Sequence, residues 1–173
     1  MNHDSYDNAY IAGILNGVRT IAVVGASAND VRPSFFVTKY LIDKGFVVNP
    51  VNPTQAGKTL LGRMTYASLA GVPGPIDMVD IFRASDAVPA LVEEAMALDP
   101  LPKVIWMQLT IRDDEAAAKA EARGIKVVMN RCPKIEYGRL SGEIGWSGVN
   151  SRVLSSRKPV MRQGYQSFGV RQR

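Results

Sequence analysis

The chain contains one cysteine, Cys132, and one histidine, His3, among its 173 residues. A lone cysteine excludes an internal disulfide framework and fits a reducing cytoplasm. With so few ligands of that kind, a zinc site built from His and Cys is not expected. A serine–histidine triad would have to recruit His3 from the stretch "MNHDSYDNAY", which is expected to fray at the terminus, so that chemistry is set aside. Long apolar runs are also missing: none approaches the roughly 18 residues that a membrane helix needs. The same polar, acidic N-terminus does not read as a signal or transit peptide. A cytoplasmic protein without a membrane partner is the expectation.

Acidic residues are missing from one region only. Residues 151–173 carry Arg152, Arg157, Lys158, Arg162, Arg171 and Arg173 and no Asp or Glu. The net charge of +5 therefore belongs to a tail on a nearly neutral body. That distribution argues against a nucleic-acid partner, although a basic arm with aromatics remains an alternative. The tail is rich in Gly, Ser and Arg and shows no period. Its aromatics, Trp146, Tyr165 and Phe168, are candidates to dock on the domain or on a second copy. Helix faces offer another route to a homo-oligomer.

What the chain does have is a repeated pattern. Apolar runs at Ile21–Val24, Phe46–Val51, Met78–Phe82, Lys103–Met107 and Lys126–Asn130 are short and β-branched, without sustained polar alternation. Such runs suit strands covered on both faces. Between them, helical spacing marks Ser34–Lys44, Asp86–Leu98 and Asp113–Arg123, with a shorter helix around Tyr66–Ala70. A further helix is expected before the first strand, from about Tyr6 to Asn16, capped by Asp4 or Ser5 and closed by Gly17. Strands alternating with helices imply right-handed crossovers and a parallel sheet between helical layers. The expected fold is α/β, a Rossmann-like, doubly wound, parallel five-stranded sheet with helices on both faces. Residues 1–19 form a lead-in, 20–140 the domain and 141–173 the tail.

In this architecture ligands sit beyond the carboxyl ends of the strands, so the residues there carry the functional reading. After the first strand comes "GASANDVRPS". Gly25 permits a tight turn, Ser27 offers a hydroxyl, and Arg32 brings a charge suited to phosphate. Pro33 and Ser34 open a helix whose N–H groups and dipole favour an anion. A dinucleotide fingerprint would place glycines where Ser27 and Asp30 stand, and an acid after the second strand. Instead that strand ends in "NPVNP", which counts against NAD. Lys58 and Arg63, farther on, would tolerate an extra ribose phosphate, as in NADP or coenzyme A. After the third strand, Phe82 is placed to cover an adenine or pantetheine face, and Arg83 to reach a phosphate. In a purely structural reading, Phe82 belongs to the core and Ser85 caps the next helix. Gln108 is a polar group at the crevice. Farther on, Arg131 and Glu136 are a candidate pair, and Cys132 is either a small buried residue or an exposed thiol activated by Arg131.

Six stretches in order carry a resemblance: "VVGAS…RPS", "VNP", "LG…Y.SL", "D.VD.FR", "W.Q" and "RC.KIE". Over about residues 20 to 140 the chain resembles the small CoA-binding family related to the nucleotide-binding domain of the succinyl-CoA synthetase α subunit. The resemblance implies a Rossmann-like fold with CoA or an acyl-CoA as ligand. It implies contacts from Gly25, Ala26, Ser27 and Arg32 to the pyrophosphate region. Asn52 and Pro53 would lie near the adenosine, and Ile81, Phe82 and Arg83 would flank the nucleotide. The synthetase's catalytic histidine belongs to a further domain with no counterpart here, so its activity is not implied. No nucleophile paired with a base stands out. Two alternatives stay open: an NADP-dependent reductase on the same fold, and a CoA-sensing regulatory or subunit module acting through its tail.

Overall fold

The apolar runs become strands because each is bounded by a residue that turns the chain. A computed structural model of the chain describes residues 1–142, and the tail expectations lie outside the described residues. The order is α1 (Asn8–Gly17), β1 (Thr20–Val24), α2 (Pro33–Asp43), β2 (Val47–Val51), β3 (Thr59–Leu60), β4 (Arg63–Met64), β5 (Met78–Ile81), α3 (Val88–Met96), β6 (Val104–Met107), α4 (Asp114–Ala122), β7 (Lys126–Val128) and α5 (Pro133–Leu140).

Five strands form one parallel sheet in the order β2-β1-β5-β6-β7. This is the doubly wound, Rossmann-like sheet expected from the alternation. Side chains of successive strand residues enter opposite layers. Ile21, Val23, Met78, Val104 and Trp106 pack with α1, α2 and α5. Ala22, Val24, Val79, Ile81, Ile105 and Met107 pack with α3 and α4. Both faces are thus dry, which explains why the strands show no polar alternation.

Local chemistry sets most boundaries. Pro33 occupies the first turn of α2, and Gly45, at φ 84°, turns the chain after it. The Asp113 carboxylate accepts the Ala116 N–H at 2.8 Å and caps α4. The N-terminal helix starts later than expected, with Asp7 rather than Asp4 or Ser5 as its cap. Asp4 is instead paired with Arg112 at 2.6 Å. The terminus is not frayed either. His3 is buried, with Nδ1 2.9 Å from the Tyr6 hydroxyl, which accepts the Met129 N–H. Ser85 is not a helix cap: its hydroxyl accepts the Arg112 N–H, and a 3-10 turn at Ser85–Ala87 leads into α3. The segment near Tyr66 yields only a 3-10 turn at Leu69–Gly71.

Two elements had no counterpart in the sequence reading. The β3–β4 hairpin turns through Leu61 and Gly62 at φ 50° and 74°, the left-handed pair that two-residue hairpins require. The helix α5 starts at Pro133 and buries Tyr137 and Leu140. Tyr137 meets Tyr40 and Phe46 edge-on, with ring centroids 6.0 Å apart, and so closes the α2 side of the core.

At the amino ends of the strands, Asp77 ties three segments together. Its Oδ2 accepts the N–H groups of Arg19 and Thr20 at 2.8 and 3.0 Å, and its Oδ1 lies 2.8 Å from Lys103 Nζ. Partial burial pushes this carboxyl up. The Lys103 ammonium and the two N–H groups outweigh that and hold it below its ordinary value. Asp77→Ala leaves the part-buried Thr20 N–H and the exposed Arg19 N–H without their acceptor and is expected to cost about 1–2 kcal/mol. Urea unfolding measures this. A midpoint unchanged from wild type would show that the clamp contributes nothing.

Candidate functional site

The order of strands reverses between β1 and β5, since the chain passes from β1 to β2 on one side and returns to β5 on the other. Connections leave that junction in opposite directions, opening a crevice at the carboxyl ends of the two strands. The residues closing β1 and β5 meet there. Gly25 adopts φ +84°, and a Cβ at this position would stand 2.5 Å from the Phe82 carbonyl oxygen and 3.1 Å from Arg83 Cδ. No side chain fits. The two loops therefore meet backbone to backbone, with the Phe82 N–H donating to Val24 O at 2.8 Å and the Gly25 N–H donating to Val51 O at 2.9 Å.

From Gly25 the chain runs to α2 through a loop braced by its own side chains. Ser27 Oγ accepts the Asn29 N–H at 3.1 Å, and Asn29 Oδ1 accepts the Val31 N–H at 3.0 Å. Ala26 is buried beneath this loop, while Arg32 and Pro33 are exposed at the start of α2 and Ser34 turns inward. Arg32 is the N-cap residue, and its side chain makes no capping bond. A guanidinium has donors only and cannot cap helix N–H groups, so Arg32 adds charge and not a cap at this helix start. The first N–H groups of α2 carry the positive end of the helix dipole toward the same region.

The end of β2 is fastened to this loop. Asn52 Nδ2 donates to Ala26 O at 2.7 Å, while Asn52 Oδ1 accepts the Thr54 N–H at 3.1 Å and caps the 3-10 turn that begins at Pro53. So the structure joins Gly25, Ala26, Asn52, Phe82 and Arg83 through direct contacts. Pro53, Arg83, Lys58 and Arg63 are exposed, the last two on or beside the β3–β4 hairpin.

On the other side of β5, Ile81 is buried against α3, and Asp80 points into the α2–α5 layer with no exposure. Gln108, just past β6 and 5% exposed, donates from Nε2 to both Asp80 oxygens at 2.8 and 3.1 Å. Burial pushes the Asp80 carboxyl up to about 8, against a smaller downward pull from the Gln108 bond. Asp80 had no role in the sequence reading. The signal available was an acid inside the apolar run "MVDIF". Cys132 is buried at the start of α5. Burial pushes its thiol up, with a partial opposing pull from the N–H groups of Ile135 and Lys134. The activated thiol beside Arg131 is therefore not what the structure holds. Arg131 Nε lies 3.9 Å from Glu136, whose closer partner is Arg139 at 2.6 Å.

Two other features lie apart from this junction. A depression of about 350 Å³ lined by Leu69, Val72, Ile76, Leu98 and Pro100 sits at the amino ends of β5 and β6. Among the described residues, no cluster of His, Cys, Asp and Glu is arranged to hold a metal ion, and no helix is long and apolar enough to cross a membrane.

Residues 19–138 match the model of a family described as a CoA binding domain. An uncharacterized Bacillus subtilis protein, YneT, is 36% identical over 129 residues, which is 75% of this chain and 93% of that protein. A solved structure from Thermus thermophilus is 35% identical, covers 78% of this chain and 98% of its own, and superposes with a TM-score of 0.73. A hypothetical protein from Pyrococcus horikoshii OT3 is also 35% identical, with 81% and 96% coverage and a TM-score of 0.73.

Two outcomes follow from this geometry. Gly25→Ala forces a side chain into left-handed backbone and onto a carbonyl, and is expected to cost about 2 kcal/mol or more. Denaturant titration checks it, and a loss under about 0.5 kcal/mol, the scatter of ordinary surface changes, would contradict the tight contact. The second concerns pH. Because the folded Asp80 carboxyl titrates near 8 and the unfolded one near 3.8, the folded state holds an extra proton between those values. Its stabilising share is complete below the lower value and lost as pH rises through the upper one. Relative to Asp80→Asn, the wild-type melting temperature should thus fall between pH 5 and pH 9. Parallel pH profiles for the two proteins would refute a buried neutral acid.

Proposed function

The chain belongs to the CoA binding domain family, and from that premise we propose that it binds coenzyme A or an acyl-CoA across the carboxyl ends of β1 and β5. The turn at Gly25, the backbone of Ala26 and Ser27, the Arg32 guanidinium and the start of α2 at Pro33 and Ser34 form the site for the pyrophosphate. Asn52 and Pro53 lie beside the adenosine, Ile81, Phe82 and Arg83 flank the nucleotide, and the pantetheine arm runs along the strand ends toward Gln108. One observation carries this reading. The glycine-only contact of Gly25 with Phe82 brings bare backbone, a helix start and the side-chain-free face of a turn to the strand-order switch, where a phosphate meets N–H groups rather than side chains. The exposed Arg32 supplies the opposing charge. No residue is assigned a catalytic role, and the cytoplasm is the proposed compartment.

Thermal shift with CoA, acetyl-CoA, NAD, NADP and AMP tests the ligand. CoA at about 100 times its dissociation constant should stabilise the fold by roughly 2.7 kcal/mol. No CoA shift, or a larger shift with NADP, overturns the assignment. Arg32→Ala should weaken CoA binding roughly tenfold, about 1.4 kcal/mol, with an unchanged melting temperature in the absence of ligand. Undiminished affinity would leave Arg32 as a loop charge only.

A further inference from the structure

We infer that Asp80 is a positioning residue that turns Gln108 into an acceptor for the amide N–H groups of the pantetheine arm. The inference rests on the CoA reading above and adds to it the part of the ligand that β6 recognises. A glutamine amide has one donor end and one acceptor end. Here the donor end is turned toward Asp80: Gln108 Nε2 lies 2.8 and 3.1 Å from the two Asp80 oxygens, which share an N–H of the amide. Asp80 is fully buried, so it cannot itself meet a ligand. Oε1 takes no hydrogen bond from the described residues, and it is not one of the enclosed, partnerless polar atoms, which are the hydroxyls of Thr38 and Thr65. The acceptor end of Gln108 is thus open.

Its position defines the partner. Gln108 follows β6, two strands from β1 and one from β5. A ligand whose phosphates lie at Gly25 would cross two strand spacings, roughly 10 Å, before reaching it. Over that path a dinucleotide presents a second ribose, whereas CoA presents an extended arm carrying two amides. An oriented acceptor in a nearly buried site favours an N–H donor, and a group unable to donate leaves it unpaired. Gln108 therefore offers the pantetheine arm an acceptor and leaves the nucleotide half to Gly25, Arg32 and Asn52.

The test compares CoA with 3′-phospho-ADP, its nucleotide half lacking the arm, by calorimetric titration of the full chain. In Gln108→Leu, CoA affinity should fall about tenfold while 3′-phospho-ADP affinity stays within about twofold, one hydrogen bond being lost from the arm alone. At pH 9, where Asp80 is ionised and can only accept, Asp80→Asn keeps the shape and one hydrogen bond but lets the amide turn either way, so it should lose CoA affinity by an intermediate factor and spare 3′-phospho-ADP. If Gln108→Leu does not fold, Gln108→Met carries the same comparison. Equal losses for both ligands, or no loss for CoA, overturn the role of Gln108. CoA loss in Gln108→Leu with none in Asp80→Asn removes Asp80 from it. Wild-type protein that binds neither ligand fails at the parent reading, and this inference falls with it.

Discussion

The contact between Gly25 and the Phe82 carbonyl is the constraint on which the carboxyl end of this sheet depends. A side chain at Gly25 would sit 2.5 Å from that oxygen, so the first turn can close over β5 only with glycine. Because it closes there, the Phe82 N–H stays paired with Val24 and the Gly25 N–H with Val51. Three strand ends are thereby held level. The loop that follows must then climb away from the sheet before α2 can begin, and Ser27 and Asn29 brace that climb with their own hydrogen bonds. The place of Arg32 and the direction of the α2 dipole follow from this one close approach.

The two ends of the sheet handle their carboxyl groups in opposite ways. Asp77, at the amino ends, keeps its charge because an ammonium and two N–H groups surround it. Asp80, at the carboxyl end, takes its hydrogen bonds among the described residues from the Gln108 amide, and burial pushes it toward neutrality. A buried charge is retained where it is paired and given up where it is not. The first arrangement serves stability at an end with no proposed ligand. The second places a buried acid against the Gln108 amide next to the crevice, at the end of the sheet opposite the apolar depression.

Much of the molecule was legible from residue order alone. Five β-branched runs without polar alternation could only be strands covered twice, and the sheet is covered twice. Pro33, Asp113 and Gly45 announced where helices start and turn because those signals act over a few bonds. The misses share one cause. Asp4 and Ser85 have the right chemistry for caps, yet both are engaged by Arg112, far away in sequence. Helix α5 lacks a clear apolar stripe and is stabilised by Tyr137 packing against Tyr40 and Phe46. His3 escaped notice as an ordered residue because its partners, Tyr6 and Glu121, meet only in the folded chain.

The sequence by itself determined the layer architecture, the glycine turn after β1, the run of polar residues at strand ends and the family those residues resemble. Each of these depends on local spacing or on the identity of single residues, and neither needs a folded chain to be read. Only the tertiary structure decided that Gly25 abuts Phe82, that Asn52 ties β2 to the Ala26 carbonyl at 2.7 Å, and that Gln108 turns inward to a buried Asp80. Those contacts join positions 26 to 57 residues apart, and burial rather than sequence distance sets their strength. Chemistry that depends on who is next to whom in a dry interior has no signature along the chain.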